Sequence, residues 1–138
     1  MQVFFQIFCI LYFYVIIVVN EHKGLTMATH NMKLETKPYF DLVRDGSKTI
    51  ELRLWDEKRR QIKPGDEIIF RDGERVLTVT VTSLVIAENF ESLFKLIDVK
   101  QTGLTIATPN PLDAINQIYD PAEQKQNAVV GIKIKLQK

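Results

Sequence analysis

The sequence holds a single cysteine, Cys9, among 138 residues, so no disulfide can form within the chain and no cysteine-based zinc site can be built. Histidine is almost as scarce. His22 and His30 have no Cys or His at a metal-ligand spacing, and no structural metal or other cofactor is expected. Charge of one sign is lacking as well. A formal net charge of +1 does not give the broad basic surface with which proteins hold duplex DNA, so any nucleic-acid contact must be local. The chain also lacks internal repeats, a phosphate-binding P-loop, a dinucleotide-binding glycine pattern and a Ser-His-Asp order. Its length suits one domain with one core, expected to be a monomer.

One long apolar run is present. Residues Met1 to Val19 carry no charge, and Gln2 and Gln6 are their only strongly polar side chains. About 19 apolar residues are just enough to span a bilayer as a helix. Three readings compete for residues 1–26. A cleaved signal peptide lacks the basic start and the small-x-small cleavage pattern. A membrane anchor, followed by Lys23, Lys33 and Lys37, would leave the domain facing the cytoplasm. The third reading is a leader upstream of a true start at Met27 or Met32. It fits because the pattern after Met32 is complete without those residues. The expected domain is therefore 32–138, and the expected location is the cytoplasm.

From Asn31 onward short elements alternate with turn signals. Met32 to Thr36 can form a strand. Pro38 then suits a helix start, with Tyr39, Leu42 and Val43 on one face and Gly46 as its left-handed end. Thr49 to Leu54 alternates: Ile50, Leu52 and Leu54 face one side, Thr49, Glu51 and Arg53 the other. Asp56 to Lys63 is a charged loop. Glu67 to Phe70 and the long run Arg75 to Ile86 read as a hairpin, the second strand long enough to bend around a barrel. Asn89 caps a short helix with Phe90, Leu93, Phe94 and Ile97 inward. Asn110-Pro111 opens another, presenting Leu112, Ile115 and Ile118 to the core. Ala128 to Gln137 closes the domain as a strand. About five strands with inserted helices give an α+β fold, a small barrel.

The segment Gly46-Ser47-Lys48-Thr49-Ile50-Glu51-Leu52-Arg53 places a lysine at a strand entrance and two opposite charges on one strand face. Pattern alone fits a solvated face, where such a pair adds well under about 1 kcal/mol. The segment is similar, however, to the GxKxxExR signature of the ASCH family (activating signal cointegrator homology domains, relatives of the PUA fold). Lys37-Pro38-Tyr39-Phe40, Lys63 to Phe70, the helix from Phe90 and Val130-Gly131-Ile132 follow in the family's order, so the resemblance covers Met32 to Lys138.

The resemblance implies a PUA-like β-barrel with a cleft at the helix-to-strand corner, proposed in such domains to bind RNA. Those roles fall on Lys48, Glu51 and Arg53. The partner implied is RNA or a nucleotide-like small molecule. Arginine offers a planar fork for phosphate or a base edge, and a carboxylate accepts from base amino groups. The competing reading is an ion pair that orders the barrel mouth.

One bacterial branch of the family hydrolyses N4-acylated cytidines with a lysine, a threonine and a glutamate. Its lysine matches Lys48, but Glu51 stands where the threonine would be, Thr49 is one pleat away, and no acid stands at Lys100 to Thr102, the nearest being Glu88, Glu91 and Asp98. Other members are reported as ribonucleases, for which Lys48 and Glu51 would be base and acid. Trp55 can stack a base or plug the barrel rim. Arg59 and Arg60, in a basic loop with Lys58 and Lys63, can follow a phosphate backbone or form a solvated turn. Tyr119 can lend a hydroxyl to the cleft or be a buried aromatic with one satisfied hydroxyl. A further alternative is an interaction module tethered by a membrane anchor.

Overall fold

A computed structural model describes residues 5–10, 14–20 and 26–138, with side chains from residue 26 onward. Cys9 and most of the apolar run fall within backbone-only segments, and His22 lies outside the described residues. Strands β1 (Phe5–Ile10) and β2 (Tyr14–Asn20) pair antiparallel with each other. Among the described residues no helix is long and apolar enough to cross a membrane.

Five further strands build the curled sheet. They are β3 (Thr29–Lys33), β4 (Ile50–Leu54), β5 (Glu67–Asp72), β6 (Arg75–Ala87) and β7 (Val129–Leu136). Their order is β3-β5-β6-β7-β4, with β3 parallel to β5 and the other pairs antiparallel. β2 joins the far end of β6, at Ser83 to Ile86. The thirteen residues of β6 reach two neighbours in turn because a register shift between Val81 and Ser83 bends the strand, as a bulge does. The result is the expected α+β fold of about five strands with inserted helices, curled into a half-barrel.

The sheet does not close. No backbone pairing joins β3 to β4 among the described residues. Along this seam lie α1 (Tyr39–Asp45) and α4 (Pro111–Ile118); α2 (Phe90–Phe94), α3 (Leu104–Ala107) and α5 (Pro121–Asn127) complete the helical layer. One apolar core fills the half-barrel around Phe70, Ile68, Val79 and Ile132. A second lies between the outer face of the sheet and the helices, around Ile50, Leu52, Phe90 and Leu93. β7 is thus buried on both faces, including Gly131, where an added Cβ would sit 3.4 Å from Ile50 Cγ2.

Several sequence expectations need correction. The first strand of the domain is 29–33 rather than 32–36, so His30 belongs to the sheet, where its Nε2 lies 2.8 Å from Asp66 Oδ2. Buried Asp66 also accepts from the backbone N–H of Ala28 and Lys63, which ties the start of β3 to the turn before β5. Ile118 does not reach the core. It sits at the end of α4, 55% exposed, because only Ile115 of that face points fully inward. Asn89 caps α2 as expected, accepting from Ser92 N at 2.8 Å.

Candidate functional site

The chain turns sharply from α1 into β4. Gly46 ends the helix at φ 88°, a left-handed conformation open to glycine, and Lys48 N then caps the free carbonyl of Leu42 at 2.9 Å. This turn drives the Lys48 side chain inward, under the segment 99–103. Gly103, at φ 80°, lies against it: a Cβ there would be 3.0 Å from Leu42 Cδ1 and 3.5 Å from Lys48 Cδ. Two residues further, strand alternation sends Ile50 and Leu52 into the helical core and Glu51 and Arg53 to the opposite face.

The three charges meet. Lys48 Nζ donates to Ile50 O at 2.7 Å and Thr102 O at 2.8 Å, and stands 3.1 Å from Glu51 Oε1. Its three protons are therefore all placed. Glu51 Oε1 also accepts from Leu52 N at 3.2 Å. Its Oε2 accepts from Arg53 Nε at 3.0 Å and Nη2 at 2.8 Å, so both oxygens carry two donors. Arg53 Nη2 reaches across the open seam to Lys33 O on β3, 2.7 Å away. The guanidinium is the bolt between the two unpaired edges of the half-barrel. The Arg53 side chain lines the cleft and keeps 16% of its exposure.

Electrostatics follow from this packing. Burial alone would push the Glu51 carboxyl up, but Lys48 and then Arg53 outweigh it and hold the group below the usual carboxylate range. Burial pushes the Lys48 ammonium down, opposed in part by Glu51. Arg53 is raised: burial works against its charge, and Glu51 together with Tyr119 overcomes that. Tyr119 is raised by burial, with Arg53 opposing. Glu51 stays an anion and Arg53 a cation at neutral pH.

The cleft around this group has a volume of about 150 Å³. Its polar lining comprises Lys48, Glu51 and Arg53, with Lys33, Glu35 and Thr36 beside them. Its walls include Leu34, Leu104, Ile115 and the rings of Tyr39 and Tyr119. Tyr39 stands over Lys48, with Nζ 5.4 Å from the ring centroid. Of the sequence candidates, the fold brings together Lys48, Glu51, Arg53 and Tyr119. It leaves Thr49 outside, its hydroxyl bonded to Gln101 Oε1. Trp55 packs against the barrel core. Arg60 is spent on the backbone, donating to Trp55 O and Asn127 O, and Arg59 is paired with Asp56 at 2.8 Å.

Sequence reading missed Tyr39 as a cleft wall, although an aromatic on the helix before Gly46 was a usable signal. It also missed Gln124. That side chain is buried in α5, accepts from Phe90 N at 3.0 Å, and donates to Asn116 Oδ1 at 2.8 Å and Tyr119 O at 2.7 Å. Phe90 stacks on Tyr119 with ring centroids 5.7 Å apart, so Gln124 holds both members of the stack. Among the described residues no group of three or more His, Cys, Asp or Glu side chains is placed to hold a metal.

The family model for the ASCH domain matches residues 34–137. The chain belongs to the ASCH domain family. This match spans the half-barrel strands from β4 to β7, the helices and the charged trio. Among solved structures the ASCH chain is similar to the hypothetical protein PH0355, seen in a crystal structure. The two are 33% identical over 79% of this chain and 99% of the other, with a TM-score of 0.69. It is also similar to protein PF0455 from Pyrococcus furiosus, solved by NMR. That pair is 29% identical over 80% of this chain and 98% of the other, with a TM-score of 0.61. No curated protein matches the chain.

Proposed function

We propose that this ASCH domain binds RNA, or a ligand derived from a nucleotide, in the cleft at the open seam of the half-barrel. The observation that carries the reading is the convergence of Lys48, Glu51 and Arg53 in a concavity, with Arg53 the most exposed of the three. A solvated strand face would leave these side chains in water, whereas Lys48 and Glu51 are each only 4% exposed. Burying charges carries a desolvation cost that an apolar trio would avoid. A charged trio set in a concave wall is instead suited to orienting one cationic donor towards a ligand. In this reading Lys48 and Glu51 are positioning residues, and Arg53 and Tyr119 touch the ligand. The functional unit includes the half-barrel from β3 to β7, acting in the cytoplasm; the single cysteine agrees with a reducing compartment.

Hydrolysis by Lys48 has no specific support in the geometry. Its protons are all donated, and Glu51 has no lone pair left to serve a substrate.

The test is binding of short single-stranded RNA, followed by fluorescence anisotropy. Arg53→Ala is expected to weaken binding by about tenfold or more, the factor that loss of one charge-assisted hydrogen bond implies. Unchanged affinity in a folded Arg53→Ala protein would remove the cleft from the binding account.

A further inference from the structure

We infer that Ile118 is a ligand contact, an apolar lip that packs on the face of one unpaired base held in the cleft. This rests on the RNA or nucleotide reading above and adds to it a residue and the part of the ligand that it meets.

Ile118 is the last residue of α4, three positions after Ile115, so the two fall on one helical stripe. Their burial differs sharply. Ile115 is 4% exposed and packs in the helical core, whereas Ile118 is 55% exposed. Exposed apolar side chains scattered singly are common on folded proteins and need no ligand. Ile106, 61% exposed on α3, is of that kind and is not among the residues lining the cleft. Ile118 differs by its place. It lines the same concavity as the charged trio, together with Ile115, Leu104 and Tyr119. What α3 and the end of α4 contribute to the cleft is therefore an apolar wall, while β3 and the segment after it contribute the polar groups of Lys33, Glu35 and Thr36.

This division points to the part of the ligand that Ile118 meets. An isoleucine side chain has no donor or acceptor, so it favours an apolar surface. A base provides one on each face of its ring. Once taken out of its stack, a base is held by apolar or aromatic side chains on its faces and by hydrogen bonds at its edge. The cleft volume of about 150 Å³ matches a cavity that takes one aromatic ring. The polar lining is left for the base edge, ribose or phosphate that travels with that ring. The exposed half of Ile118 is then the surface covered on binding, and covering it is worth a factor of about three to ten in affinity.

The experiment uses the full chain and a fluorescent single-stranded RNA rich in uridine, with anisotropy read at low and at high salt. Ile118→Ala is expected to bind about three- to tenfold more weakly, with the salt dependence of wild type, because an apolar contact releases no counterions. Ile118→Leu keeps the lip and should bind as wild type. Ile106→Ala, off the cleft, should also bind as wild type. All three variants should melt with wild type, since neither side chain is buried. Equal affinity of Ile118→Ala and wild type, beside a loss in Arg53→Ala, would overturn the inference and leave RNA binding in the cleft intact. So would an equal loss in Ile106→Ala, which marks non-specific apolar contact. A shallower salt dependence in Ile118→Ala would assign the residue to the sugar-phosphate path and also overturn the inference, as would a large drop in its melting temperature. Sedimentation covers the remaining occupant. A change from dimer to monomer in Ile118→Ala, at unchanged RNA affinity, would give the lip to a second copy of the chain and overturn the inference. A probe that wild type does not bind would overturn both the inference and the reading beneath it.

Discussion

Glu51→Ala is expected to lower the unfolding free energy by about 3–5 kcal/mol, the cost of removing one partner from a buried ion group. The size follows from what the substitution strands. Glu51 is the anion shared by Lys48 and Arg53, and without it two like charges are left close together in a poorly hydrated wall. Urea denaturation of wild type and variant measures the loss. A change below about 1 kcal/mol would mean that water reaches the trio freely, as at an ordinary surface pair.

The same residue sets an acid limit. Its folded pKa is below the ordinary value of 4.5, so its contribution is fully present above that value. It fades as pH falls through 4.5 towards the lower folded value. Stability of the wild type should therefore drop more steeply below pH 4.5 than that of Glu51→Gln, which has no proton to take up at this position. Replacing all three charges together, as Lys48→Met, Glu51→Leu and Arg53→Met, should recover much of the loss caused by Glu51→Ala. Ligand binding should not recover with it.

Gln124→Ala is expected to cost about 2–6 kcal/mol, because it leaves the buried Phe90 N–H and Tyr119 carbonyl without partners, at about 1–3 kcal/mol each. A second effect separates positioning from bulk stability. With its carbonyl released, Tyr119 loses its fixed place beside Arg53, so RNA affinity should fall in Gln124→Ala even far below its melting temperature. Gln124→Glu keeps the acceptor for Phe90 N but loses both donations, and should fall between the two proteins in affinity. If affinity in Gln124→Ala equals wild type once the variant is shown to be folded, Tyr119 has no part in the site.

Much of the fold was written in local pattern. Alternation from Ile50 to Leu54 fixed β4 and put Glu51 and Arg53 on one face, and Gly46 and Asn89 marked helix ends where the backbone required them. Helix α5 was not legible, because Pro121 to Asn127 has no apolar stripe. Its one buried residue is Gln124, whose burial depends on partners in α2 and α4 rather than on hydrophobicity. Ile118 misled for the opposite reason: it keeps helical spacing, but the helix ends there and nothing covers it.

At the site, the sequence placed three charges together but not their hydrogen bonds. The partner of Lys48 at Thr102 is 54 residues away, and the Arg53 bond to Lys33 crosses a seam that local pattern does not reveal. Those two contacts turn a lysine that looked available into a buried support and pin the guanidinium across the seam. Arg59 and Arg60 looked like a phosphate track for a similar reason, until Asp56 and two backbone carbonyls were found to hold them.

The central claim is that a ligand enters the cleft beside Arg53 and Tyr119. Nitrogen-detected NMR of the arginine side chains, with short single-stranded RNA titrated in, tests it most directly. The Arg53 guanidinium signals and the ring signals of Tyr119 should move together and saturate at one equivalent of RNA. Shifts confined to the arginines of the loop 58–63, with Arg53 unmoved, would contradict it.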